Sequence, residues 1–284
     1  MELLDVWNAF AREKSFVLSP TTMAHDYVQV GLWLARCPHQ SLSDTRLAMY
    51  WLLEQQPHKA ATRVAQYLKS ALRWAATEDV ALIPRNPLAS FQLPKKDQLP
   101  EPRVIAVDKV PVMLEWLRES ATQGARWDLI AALHLQTGLR PAEGFGLTWD
   151  DVDWDNKRIR IARNLTLTHG VRNRTKTGRE RWVPCNGPAM QILHTLRKLH
   201  NEPQVLPWSR VGYMTAFRRT MQRMYDRGLI PARYRPYDLR HTNISVALER
   251  GIPVTQVASW AGNSAEMCWR HYAGTTGSYT MPSI

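Results

Sequence analysis

Three runs of this sequence hold the residue types that bind anions and attack electrophiles: Gln136 to Asp153 with Arg140, Arg174 to Pro184 with Lys176, and Tyr234 to Tyr272 with Arg240 and two histidines. A guanidinium grips two oxygens with one planar fork and stays charged, while an ammonium on a flexible stem can give up a proton. A phenol becomes a nucleophile once its proton has somewhere to go. In the third run Asp238 is expected to cap a helix from Leu239, placing Arg240 and His241 in its first turn, at an end that attracts anions. Val246, Ala247, Ile252 and Val254 supply an apolar face, Gly251 interrupts the helix, and Trp260 closes the next one before a Gly262-Asn263 turn. The segment after that turn ends on Tyr272.

In order and spacing the three runs resemble the tyrosine recombinases, the phage integrase family. The first reads Gln-Thr-Gly-Leu-Arg-Pro-Ala-Glu-Gly-Phe-Gly-Leu-Thr-Trp-Asp-Asp-Val-Asp, the second Arg-Thr-Lys-Thr-Gly-Arg-Glu-Arg-Trp-Val-Pro. The third opens Tyr-Arg-Pro-Tyr-Asp-Leu-Arg-His-Thr and closes Trp-Arg-His-Tyr-Ala-Gly. Leu72-Arg73-Trp74-Ala75 and Arg85-Asn86-Pro87-Leu88 carry the likeness into the N-terminal half, which resembles the family's core-binding domain. The resemblance implies a site-specific recombinase (integrase) that cleaves and rejoins double-stranded DNA through a 3′-phosphotyrosine, with no cofactor and no metal. It further implies a homotetramer on two recombination sites, each duplex clamped between two domains, with accessory DNA-binding proteins as possible partners.

By position in that pattern Tyr272 is the nucleophile, and Arg140 and Arg240 face the charge that builds on the equatorial oxygens of the transition state. Lys176 is the general acid for the leaving 5′ oxygen or, like Arg172, Arg174 and Arg179, one more phosphate-neutralising charge. Glu143 orients Arg140 or a neighbouring strand. Two positions depart from the family pattern. Tyr237 stands three residues before Arg240, where histidine is usual, and its phenol is a poor proton acceptor at neutral pH. Asn263 stands where histidine or tryptophan is usual, with an amide that can donate to a phosphate oxygen. His241 and His271 flank the site, and either is a substitute proton acceptor. With Tyr237 and Asn263 in place, two alternatives stay open: a DNA-binding protein of this fold with impaired turnover, and a type IB topoisomerase-like enzyme. Tyr279, in a Gly/Ser/Thr tail, is a weaker nucleophile, and His134, in an apolar helix, is structural.

These residues need a scaffold that 284 residues with 44% hydrophobic content can build as two domains. The expected fold is mainly α with a small antiparallel β-sheet: a helical core-binding domain over 1–83, a linker over 84–102, and a catalytic domain over 103–284. Helices are expected after Ser19, after Ser43 to about Glu54, and from Lys59 to about Thr77. In the second half they follow Asp108, then run from about Arg126 to Gln136, Gly187 to Leu199 and Val211 to Arg227. Val152 to Ile161 reads as a hairpin, with a third strand near Arg181. The linker holds five prolines and the pair Lys95-Lys96, which lies against DNA or in solvent. A net charge of +12 points to a polyanionic partner. Cys37, Cys185 and Cys268 stand apart with neither disulfide nor zinc spacing, suited to a reducing cytoplasm, and the resemblance to DNA recombinases implies a place on the nucleoid. No signal segment or membrane span is expected, nor room for an arm-binding domain, and the tail beyond Tyr272 is expected to dock on a neighbouring subunit.

Overall fold

The computed structural model describes residues 1–55, 57–94, 102–122, 124–166, 170–172 and 180–272, with backbone alone at 58, 166, 171 and 172. Lys95, Lys96, Arg174, Lys176, Arg179, Tyr279 and the tail after Tyr272 lie outside the described residues, and Arg172 is described by its backbone only. The fold is mainly helical with small antiparallel sheets, and the chain divides into two compact units, Met1–Gln98 and Leu99–Ile284.

The first unit contains α1 (Leu3–Ser15), α2 (Pro20–Thr22), α3 (Val28–Arg36), α4 (Thr45–Glu54) and α5 (His58–Ala75). Ser19 caps α2, its hydroxyl accepting from the Thr22 N–H at 3.2 Å, and a π turn over Met23–Tyr27 carries the helix into α3. Along α5, Val64, Ala65, Leu68, Ala71, Leu72 and Ala75 recur at helical spacing and are buried against Leu3, Val6 and Trp7 of α1. The opposite face keeps its charges: Arg63 pairs with Asp26 at 3.0 Å. Part of the stretch expected as linker belongs to this core, because Leu88 and Phe91 are apolar enough to bury and do so.

The second unit contains α6 (Val110–Glu119), α7 (Trp127–Thr137), α8 (Pro141–Gly144), β1 (Val152–Asp153), β2 (Arg158–Ile161), β3 (Asn164–Thr166), β4 (Gly170–Arg172) and β5 (Arg181–Pro184). It continues through α9 (Gly187–Leu199), α10 (Arg210–Asp226), α11 (Pro236–Glu249), α12 (Val254–Ala261) and α13 (Ala265–Tyr272). β1, β2 and β5 form one antiparallel sheet in which Ile159 pairs with both Val152 and Val183, and β3 pairs with β4. Alternation along β2 turns Ile159 and Ile161 inward and leaves Arg158 and Arg160 at the surface edge. Helix α7 packs against α6, α9 and α11. Accordingly Ile130, Ala131 and Leu133 are all buried rather than confined to one stripe.

The start of α11 differs from expectation. The helix begins at Pro236, not Leu239, and its cap is Arg235. Proline suits the first position because its fixed φ is helical and its missing N–H would have lacked a partner there. Asp238 then sits in the first turn and reaches back, accepting from the Arg235 N–H at 2.7 Å. Arg240 and His241 are consequently carried into the second turn, on the side of the helix that meets α12 and α13.

Candidate active site

The site is assembled where three helix ends meet the start of β5. Arg140 is the cap of α8, directly after the left-handed Gly138 (φ +65°) that ends α7. Its Nη1 donates to Glu143 Oε1 at 2.7 Å, and its Nη2 donates to the Gly262 carbonyl at 2.9 Å and to Asn263 Oδ1 at 2.8 Å. Arg240, 1% exposed, reaches the same place from α11. It donates to the carbonyls of Gly138 (2.8 Å) and Ala261 (2.6 Å) and to Asn263 Oδ1 (3.1 Å). One amide oxygen thus accepts from both guanidiniums and fixes their separation.

A third guanidinium completes the cluster. Arg181, the first residue of β5, donates to both oxygens of Glu143, at 3.1 and 2.8 Å, and to the Trp260 carbonyl at 2.7 Å. Burial pushes the Glu143 carboxyl up, but the Arg181 and Arg140 charges and hydrogen bonds overcome it and hold the group at about 2. Glu143 therefore stays ionised and braces both Arg140 and β5, which joins the two roles sequence left open for it. Burial, then the neighbouring Arg140 charge, lowers the Arg240 pKa. Two guanidiniums on one carboxylate, with a third joined to them through Asn263, leave a concentration of positive charge that a bound anion would relieve.

Tyr272 comes from α13, which docks by the i, i+4 pair Cys268 and Tyr272 against Ile244, Leu248, Val257 and Ala261 of α11 and α12. The ring is 3% exposed, and its hydroxyl is hydrogen-bonded to His241 Nδ1. Burial raises the phenol pKa against the lowering influence of Arg240. Tyr237 lies at the surface with its ring edge-on to His241 at 5.1 Å, and the His271 ring centroid lies 6.3 Å from that of Tyr272.

Of the residues singled out by sequence, the structure brings together Arg140, Glu143, Arg240 and Asn263, and beside them Tyr237, His241, His271 and Tyr272. The oxygen of Asn263 faces the two guanidiniums, which only donate, and its amide nitrogen donates to Cys268 Sγ at 3.9 Å. His134 is buried, its Nδ1 against the Ile130 carbonyl at 2.7 Å, in keeping with a structural role. Arg181 was missed as a site residue. The available signal was an arginine opening the alternating Arg-Trp-Val-Pro strand, a position from which a side chain can turn inward.

Residues 103–276 match the model of the phage integrase family. The tyrosine recombinase XerC of Chromobacterium violaceum is 28% identical over 185 residues, 63% of this chain and 58% of that protein. The chain therefore spans less than two thirds of that relative's length. Among solved structures, the Tn1549 transposon integrase (residues 82–397) in complex with circular intermediate DNA superposes with a TM-score of 0.79 at 19% identity, covering 96% of this chain and 95% of that one. A lambda integrase tetramer bound to a Holliday junction superposes with a TM-score of 0.69 at 15% identity, covering 93% and 78%.

Proposed function

The chain belongs to the phage integrase family, and from that premise we propose that it is a site-specific DNA recombinase working through a 3′-phosphotyrosine. The observation that carries the reading is the clustering of three arginines, Arg140 and Arg181 on the buried Glu143 carboxylate and Arg140 and Arg240 on the Asn263 oxygen, with Tyr272 held to His241 on the same helix as Arg240.

In this reading a phosphodiester enters the positive cluster and takes up guanidinium donors of Arg140 and Arg240. The Tyr272 oxygen attacks phosphorus, the bond to the 5′ oxygen breaks, and the equatorial charge is met by cations already held in place, so little reorganisation accompanies the step. Glu143 and Arg181 act at one remove, keeping Arg140 aligned. Tyr237 positions the phosphate from the surface side. Lys176 supplies the proton to the departing oxygen, and Arg172, Arg174 and Arg179 hold the flanking backbone, roles taken from the family resemblance. Lys95 and Lys96, in the basic stretch expected as linker, add phosphate contacts in the same proposal.

The DNA of a mobile element is the proposed substrate. A homotetramer on two sites is the proposed working assembly, in line with the lambda integrase tetramer on a Holliday junction. Accessory DNA-binding proteins and a nucleoid location belong to the same proposal. Among the described residues no helix is long and apolar enough to cross a membrane.

The test is to search the DNA flanking the gene for repeated ends and to score recombination between two plasmids that each carry them. Strand exchange confined to those ends supports the reading. Relaxation of supercoils on any plasmid, with no exchange, would instead indicate topoisomerase-like action.

A further inference from the structure

The family's usual histidine is absent at Tyr237, yet the Tyr272 hydroxyl does meet a ring nitrogen. His241 follows Arg240 on α11, is partly buried, and places Nδ1 in hydrogen-bond contact with that hydroxyl. Its ring lies 5.7 Å from the Tyr272 ring, and Tyr237 packs edge-on to it at 5.1 Å.

We propose that His241, through Nδ1, accepts the proton of the Tyr272 hydroxyl during strand cleavage and returns it when the strand is resealed. The inference rests on the recombinase reading of the same site. In the forward step the O–H bond of Tyr272 breaks and an N–H bond forms at Nδ1. The phenolic oxygen bonds to phosphorus, and the bond to the 5′ oxygen breaks, with its proton coming from an acid on the other face of phosphorus, Lys176 in the reading above. In reverse, the 5′ hydroxyl gives its proton to the amine left on that acid and its oxygen bonds to phosphorus. The bond to the phenolic oxygen breaks, and that oxygen takes the proton back from the imidazolium.

Two features of the surroundings favour this assignment. Burial lowers the His241 pKa, Asp238 raises it, and the charges of Arg240 and Arg235 on its own helix and His271 on α13 lower it further. The imidazole is thereby neutral at physiological pH, with a lone pair to offer. A phosphodiester bound to Arg240 would offset part of the positive charge that, after burial, depresses it. Tyr237 then serves as a wall that keeps the imidazole turned toward Tyr272.

The first test needs no DNA. In nitrogen-15 spectra of histidine-labelled protein at neutral pH, His241 is expected as the tautomer protonated at Nε2, and Tyr272→Phe should relax that preference. A proton resident on Nδ1 would make His241 a donor to the phenol and overturn the assignment. The second test is single-turnover cleavage of a nicked duplex carrying the repeated ends. His241→Asn keeps an amide near the place of Nδ1 and removes the base, and should slow cleavage by about 10²–10⁴-fold with DNA affinity held. With sulfur replacing the bridging 5′ oxygen, which leaves without protonation, Lys176→Ala should recover while His241→Asn stays slow. Wild-type cleavage rates in His241→Asn, or recovery of that variant with sulfur, would overturn the inference. Absence of any wild-type adduct would remove the recombinase reading itself, while the tautomer would still report on the His241–Tyr272 pair.

Discussion

At the scale of single residues the site depends on Glu143. Two guanidiniums lean on a carboxyl that is 2% exposed, so its removal leaves two largely buried charges without their anion. Glu143→Gln should cost on the order of 3–5 kcal/mol of stability at neutral pH, measured by chemical denaturation. A carboxyl at about 2 in the folded protein against an ordinary 4.5 corresponds to roughly 3 kcal/mol in favour of folding. That contribution is complete above pH 4.5 and is lost as pH falls toward 2, because protonation then favours the unfolded chain. The gap between wild type and Glu143→Gln should narrow over the same interval. Arg240→Lys tests the fork directly. One ammonium cannot span the carbonyls of Gly138 and Ala261 and the Asn263 oxygen as Arg240 does, and cleavage should fall about 10²–10³-fold in a single-turnover assay.

At the scale of elements, the site is held by the ends of helices, where carbonyls lack helical partners and can accept from arginine. Gly262 ends α12 at φ +63°, and a Cβ there would stand 2.9 Å from Arg181 Cζ. Gly262→Ala should therefore lose about 1–2 kcal/mol from the left-handed backbone alone, seen as a lower melting temperature, and should displace Arg181 from Glu143. Helices with one clear apolar stripe were legible in the sequence: the expected spans to Glu54 and over Gly187 to Leu199 match α4 and α9. Arg140, Arg240 and Tyr272 were singled out by their place in a pattern, and the fold brings them close together. Arg181 escaped because it stands among the charges of a basic stretch, and only the pairing of β5 with β2, Ile161 opposite Arg181, aims it inward. The sharing of the Asn263 oxygen between two arginines was equally hidden. Its two donors come from 123 and 23 positions away, a distance at which local patterning carries no information. The cap of α11 was misplaced because Asp238 suits either role, and the choice was made by Pro236.

At the scale of the whole molecule, each unit has its own apolar core. Met1–Gln98 expressed alone should fold and unfold cooperatively, read by circular dichroism. With a net charge of +12, the proposed DNA binding should weaken steeply with salt. A linear fall of log affinity against log salt concentration, with a slope of several units, is expected from titrations in rising potassium chloride. The central claim is that Tyr272 attacks phosphorus under the influence of Arg140 and Arg240. Its most direct test is to trap the chain on a nicked duplex carrying the repeated ends, digest the adduct, and locate the nucleotide by mass spectrometry. The account predicts a phosphodiester on the Tyr272 peptide, absent in Tyr272→Phe although that variant still binds. A nucleotide on Tyr279 or any other residue, or tight binding by wild type with no adduct, would contradict it.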